Sequence, residues 1–216
     1  LKEITNIIHP LAKIAVVPNL PRKLELTDGI EKQPGVLNVC FVSRISHKKN
    51  LLLALELVSQ MSADVRFRIY GPKEDELYWE KCQKLIDQMP PHIQVSYEGS
   101  VNPNEISGVF SNNHIMLLPT LNENFGHAII ESLSSGCPVI TSDQTPWTDL
   151  ETYGAGFAIP LDNKKAFVNA LNHYSAMNQS SLETCRHNAV RYVAEKIKVP
   201  EIIQQYKNLF NDCLKN

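Results

Sequence analysis

Short apolar runs alternate with helical patterns along most of the chain, and this alternation limits the fold more than any other feature. Leu37 to Val42 predicts a strand, and Asn50 to Met61 a helix with Leu51, Leu55, Val58 and Met61 on one stripe. Strands are predicted again at Val65 to Tyr70, Ile93 to Tyr97, His114 to Leu118 and Pro138 to Thr141, with a shorter one at Phe157 to Ile159. Between them Glu74 to Gln88 and Gly126 to Ser135 carry helical patterns, and Asn102-Pro103-Asn104-Glu105 carries the cap, proline and glutamate of a helix start. Three more helical patterns follow at Asn163 to Met177, Leu182 to Glu195 and Pro200 to Leu214. Strand–helix alternation at this spacing demands right-handed crossovers, hence a doubly wound parallel sheet covered on both faces. The expected class is α/β and Rossmann-like, with extra C-terminal helices.

Ahead of this pattern, Ile14 to Val17 reads as a stray strand and residues 19–35 as a polar connection. The expected division is therefore a remnant strand and linker over 1–35, the sheet domain over 36–198, and a C-terminal helix over 199–216. That helix carries Ile202, Ile203, Tyr206, Leu209, Phe210, Cys213 and Leu214 as one docking stripe.

Composition excludes several classes. Of 216 residues, 43% are hydrophobic and 20% charged, which suits a folded globular chain and not a disordered one. With 21 basic and 23 acidic residues, nothing calls for nucleic acid. No apolar run approaches the roughly 20 residues that span a bilayer. The five cysteines are scattered without C-x-x-C spacing, which speaks against a disulfide framework or zinc knot and fits a reducing cytoplasm.

In open parallel sheets, ligands bind beyond the carboxyl ends of the strands. The loops selected by that rule include Ser43 to Lys49, Gly71 to Glu74, Gly99 to Asn102, Pro119 to Gly126 and Ser142 to Trp147. The richest is the fourth. Glu123 lies in the loop, Phe125-Gly126 starts a helix, and Glu131 follows eight positions after Glu123. Glycine at a helix start lets a ligand approach the unpaired amides, and the helix dipole favours an anion there. Glu131 sits among Ala128, Ile129, Ile130 and Leu133, where an ionised carboxylate is costly unless hydrogen-bonded. Its two oxygens match the vicinal hydroxyls of a ribose; a plain helical glutamate paired with a lysine is the alternative. Arg44, Lys48 and Lys49 in the first loop would clamp an anion, or form a solvated basic turn. No G-x-G-x-x-G or Walker-type motif occurs. His127 reads as a local hydrogen-bonder, with contact to phosphate or sugar as the alternative, His114 as structural, Asp149 and Glu151 as a solvated helix end, and Trp79 and Trp147 as packing residues.

These pieces together resemble a known family. Ser43-Arg44 with Lys49-Asn50, Tyr70-Gly71-Pro72, Tyr97-Glu98-Gly99, Leu118-Pro119-Thr120, the Glu123 and Glu131 pair around Phe125-Gly126, and Gly136-Cys137-Pro138-Val139-Ile140 are similar to the C-terminal, donor-binding domain of family-4 (group 1) glycosyltransferases of the GT-B fold. The resemblance implies a single GT-B half-domain and a retaining transfer of sugar from a nucleoside-diphosphate sugar to a hydroxyl acceptor, in polysaccharide or glycolipid assembly. It implies that Arg44 and Lys49 hold the diphosphate and Glu131 the ribose. Glu123, with amides near Asn124, Phe125 and Gly126, would meet the transferred sugar. Thr120 would lie beside the phosphates, and the loops at Gly71 and at Ser100 and Val101 would enclose the base. It implies no metal and no cofactor beyond the donor. The acceptor, a sugar or lipid-linked sugar, would be bound by a missing N-terminal domain, which would also make any peripheral contact with the inner face of the membrane. This chain alone would then be inactive. A sugar-nucleotide-binding module without catalysis and a GT-B nucleotide-sugar epimerase are the alternatives, the latter disfavoured by the carboxylate pair. Two stretches depart from the family. Ser43 and Asn50 stand where glycines are usual, and Gln144-Thr145-Pro146-Trp147 replaces a glycine-rich stretch.

Overall fold

The computed structural model describes residues 16–22 and 26–214. Six strands form one parallel sheet: β1 (Val36–Val42), β2 (Asp64–Tyr70), β3 (Ile93–Gly99), β4 (Ile115–Leu118), β5 (Val139–Ser142) and β6 (Gly156–Ile159). Their order across the sheet is β3-β2-β1-β4-β5-β6. Connecting and flanking them are α1 (Leu51–Val58), α2 (Glu76–Ile86), α3 (Ile106–Ser111), α4 (His127–Ser134), α5 (Lys164–Ala176) and α6 (Gln179–Lys196). The expected α/β, Rossmann-like architecture is present. The strand order reverses direction between β1 and β4, the kind of switch point beyond whose carboxyl edge open parallel sheets bind ligands.

Burial explains the centre. β4 and β5 are buried along their whole length, as strands covered on both faces must be, and Leu37, Val39, Cys40 and Phe41 of β1 have no exposed surface. Side chains of this kind contribute about 1.5–3 kcal/mol each on burial. β3, at the edge, alternates less cleanly and is largely exposed beyond Ile93.

Element ends follow local chemistry. Asp75 caps α2 by accepting the amide of Tyr78 at 2.9 Å, so that helix starts later than Glu74. The predicted helix start at Asn102–Glu105 is corrected. α3 begins at Ile106, and Glu105 makes no side-chain cap. Asn102 instead accepts the amide of Asn104 at 3.0 Å, closing a local turn that competes with the helix.

The compact unit around this sheet runs from Arg22 to Ile197. The irregular segment before β1 is strapped onto it. Lys32 is buried and its ammonium donates to the carbonyls of Gln33, Ser175 and Met177, while buried Arg186 donates to the carbonyl of Thr27. Of the described residues, 16–21 and 198–214 form a second unit. It contains α7 (Val199–Leu214), whose Tyr206 hydroxyl donates to the Pro18 carbonyl at 3.2 Å. The strand expected over 14–17 lies partly outside the described residues, and Val16 and Val17 are irregular. No helix among the described residues is long and apolar enough to cross a membrane.

Candidate functional site

The loops after β1, β2, β4 and β5 are stitched into one edge. Ile45 donates its amide to the Pro72 carbonyl (2.8 Å), Leu121 to Lys48 (2.8 Å) and Glu123 to Gln144 (3.0 Å). The Leu121 bond joins the loops after β1 and β4.

The first loop turns through one stretch of 3-10 helix, His47–Lys49, and then through Asn50 at φ 61°, ψ 42°. Asn50 is the sole non-glycine residue with positive φ among the described residues. Asparagine tolerates this region far better than other side chains. A left-handed turn, for which glycine is the usual residue, is therefore made here by asparagine. Ser43 occupies the other departing position. Its carbonyl lies where a Cβ on Gly71 would sit, 1.9 Å away, and Gly71 has φ 135°. Glycine is required at 71 so that the first two loops can touch.

Lys49 is buried and pairs with Glu123 of the loop after β4, both side chains being nearly enclosed. Arg44 is exposed, and its guanidinium donates to Glu74 at 2.6 Å. Sequence reasoning missed Glu74. It is thirty positions away with no spacing signal, and only the adjacency of β1 and β2 brings its loop beside Arg44. Lys48 contributes its backbone. Its carbonyl accepts from the Leu121 amide and from the Thr120 hydroxyl, the latter at 3.1 Å. Thr120 is fully buried and its hydroxyl points at the carbonyls of Lys48 and Asn122, which pins the loops together.

Gly126 has φ 75°, ψ 56° and starts α4 with no side-chain cap. The amides of Gly126, His127, Ala128 and Ile129 find no acceptor among the described residues. Such orphan donors at a helix start suit a bound anion. Asn124 is exposed and Phe125 half-buried just ahead of them, with His127 packed on the Phe125 ring at 4.7 Å. Glu131 is half-buried in the second turn of α4, and its carboxylate has no hydrogen-bond or ion-pair partner among the described residues. Burial raises its carboxyl pKa, against the opposing pull of His127 and Arg22. The alternative lysine partner for Glu131 is thus absent among the described residues.

On the far side of the first loop, Gly71 donates to the Gly99 carbonyl at 2.8 Å and accepts from the Tyr97 hydroxyl at 3.0 Å. Tyr97 packs against Trp79, and the Lys73 ammonium lies 4.6 Å and 4.3 Å from the respective ring centres. Ser100 is exposed and Val101 half-buried in the loop that follows. Asp149, expected as a solvated helix end, instead accepts from the Tyr192 hydroxyl at 2.6 Å and pairs with Lys196. Burial pushes its carboxyl up, but those two bonds outweigh it and hold the pKa below the ordinary value.

Glycosyl transferases group 1 is the family whose profile matches residues 25–191. The chain belongs to that family. It is 25% identical over 219 residues to the UDP-N-acetylglucosamine–peptide N-acetylglucosaminyltransferase GtfA subunit of Streptococcus agalactiae, covering 95% of this chain and 41% of that protein. Two solved structures share the fold. TarM of S. aureus, solved as a point mutant with UDP bound, gives a TM-score of 0.74 at 18% identity, covering 97% of this chain and 42% of that one. HepE of Anabaena in complex with UDP and glucose gives 0.72 at 19% identity, covering 82% and 49%. The catalytic domain of the cholesterol-alpha-glucosyltransferase from Helicobacter pylori also shares the fold, with a TM-score of 0.60 at 17% identity, covering 74% of this chain and 99% of that one. The chain spans less than half the length of the curated relatives it matches.

Proposed function

We propose that this chain is the donor-binding half of a retaining glycosyltransferase that moves a sugar from a nucleoside-diphosphate sugar to a hydroxyl acceptor in polysaccharide or glycolipid assembly. One observation carries the reading. Lys49 pairs with Glu123 between the loops after β1 and β4, and the helix that follows the β4 loop begins with unpaired amides at Gly126 and carries the half-buried, unpartnered carboxylate of Glu131. The relatives and structural neighbours that carry UDP or a UDP-sugar in their names support a nucleotide donor.

The chemistry follows from charge. As the glycosidic bond to the donor breaks, negative charge builds on the leaving diphosphate. Lys49, Arg44 and the helix-start amides are donors for that charge, and each charge-assisted hydrogen bond contributes about 1.5–3 kcal/mol. The chain's own cations serve this purpose, so no metal is assigned. Arg44 reaches the phosphates by leaving Glu74, at little cost because exposed ion pairs contribute only about 0–1 kcal/mol. Glu131 accepts from the ribose hydroxyls, and Glu123 turns from Lys49 to the sugar. The acceptor belongs to a further domain, toward which the stripe of α7 packs, and the enzyme works at the inner face of the membrane.

Calorimetry with UDP, GDP and ADP tests the reading. One of the three binds to this chain without sugar transfer, and Glu131→Ala weakens that binding by about 10- to 100-fold. Binding of none of them, or unchanged affinity in Glu131→Ala, refutes it.

A further inference from the structure

The Gln144–Trp147 loop replaces a glycine-rich stretch, and its tryptophan is not a bystander. Trp147 is 8% exposed in a stretch otherwise made of polar residues and proline. Its indole N–H donates to the Phe125 carbonyl at 2.7 Å, and its ring meets the Phe125 ring edge-on at 6.2 Å. A Cβ on Gly126 would lie 3.2 Å from the same indole nitrogen, so the glycine backbone is pressed against it.

The consequence is a matter of peptide geometry. The Phe125 carbonyl and the Gly126 N–H belong to one planar trans unit and point in opposite directions. By holding the carbonyl inward, the indole aims the Gly126 amide the other way. It also fixes the left-handed turn from which the amides of His127, Ala128 and Ile129 follow. Trp147 is itself braced. Tyr192 packs edge-on against it at 6.1 Å, and the Tyr192 hydroxyl is held by Asp149 at 2.6 Å. Glycine at Gly126 gains freedom from its missing side chain, and the indole removes that freedom again.

We infer that Trp147 is a positioning residue for the donor diphosphate, setting the direction of the Gly126 amide through the Phe125 carbonyl. The inference rests on the donor-binding reading above and extends it to a residue that touches no ligand. It predicts a selective defect. Trp147→Phe keeps a buried aromatic ring and removes the N–H together with part of the indole's bulk, the loss of bulk being read separately in the melting. Its affinity for the diphosphate that binds the wild type falls about tenfold, the scale of one well-made hydrogen bond to a charged group. Its affinity for inorganic pyrophosphate falls by the same factor, and that for the parent nucleoside does not change.

Titration calorimetry of the wild-type chain, Trp147→Phe and Lys32→Met, with thermal melting of all three, makes the test. Lys32→Met is the structural control. It gives up the buried bonds to the carbonyls of Gln33, Ser175 and Met177 and melts lower, but leaves the Trp147 contacts in place and binds diphosphate as the wild type does. Equal diphosphate binding by the wild type and Trp147→Phe overturns the inference and leaves the donor site standing. A loss shared equally by nucleoside and diphosphate overturns it too, since a general loosening of the fold explains that. Failure of the wild type to bind any diphosphate overturns both readings.

Discussion

His114 stands just ahead of β4, and both of its ring nitrogens are engaged. The Asn38 amide donates to Nδ1 at 3.0 Å, so the proton sits on Nε2 and is given to the Glu31 carbonyl at 3.1 Å. Protonating Nδ1 would set N–H against N–H. Burial, joined by the charges of Lys32, Arg186 and Arg68, lowers its pKa from 6.5 to about 4. In the unfolded chain the same ring takes a proton near 6.5. The unfolded state therefore binds more protons between those values, and stability falls as pH drops from 6.5 to 4, levelling off below. The loss is about 3 kcal/mol at most. Urea unfolding at roughly pH 7, 5.5 and 4.5 measures it, and His114→Gln shows a shallower acid slope over that window. Equal slopes in the two proteins would show that the ring does not titrate as its contacts require. The residue type gave a structural reading in the sequence. The depth of the effect did not appear there, because it depends on Asn38 and Glu31, which are remote in the chain.

At the scale of elements, the first loop of the site is shaped by two backbone positions. Asn50 holds a left-handed turn that ends the 3-10 stretch and begins α1, and Gly71 leaves room for the Ser43 carbonyl. Asn50→Gly is close to neutral, whereas Asn50→Ala costs about 1 kcal/mol, the ordinary penalty for a side chain with a Cβ in that region. Gly71→Ala costs more, since its Cβ would meet backbone and not a movable side chain. Chemical denaturation of the three variants checks the order; a stable Gly71→Ala would mean that the two loops part readily. Periodicity and residue type made the strands, their parallel sense and the carboxyl-edge loops legible in the sequence, because each is a local pattern repeated many times. The helix expected at Asn102 failed for a local reason, since the asparagine side chain closes its own turn at Asn104. Arg44 with Glu74 and Trp147 with Phe125 were not legible. Both contacts join different loops, and only the strand order brings those loops together. A large aromatic in the polar Gln144–Asp149 loop was the one visible hint.

The whole molecule divides at Pro21/Arg22 and at Ile197/Lys198, and that division bears on where donor binding resides. Every residue assigned to the donor lies between Arg22 and Ile197, including the Trp147, Tyr192 and Asp149 brace. The loops they occupy are tied to strands of one sheet. A ligand held only by these groups draws its affinity from that unit, and the amphipathic face of α7 has no part in it. Ending the chain at Ile197 therefore leaves the affinity for the nucleoside diphosphate within about twofold of that of the full chain, a change of only ~0.4 kcal/mol. The bound ligand should raise the unfolding midpoint of both forms by the same amount, because stabilisation by mass action depends on ligand concentration relative to Kd; at roughly 100 times Kd it reaches about 2.7 kcal/mol. Calorimetry and melting with ligand at matched multiples of Kd provide the comparison. A tenfold loss on shortening would mean that α7 supplies part of the donor site, and the assignment of that helix to acceptor-side packing would have to be given up.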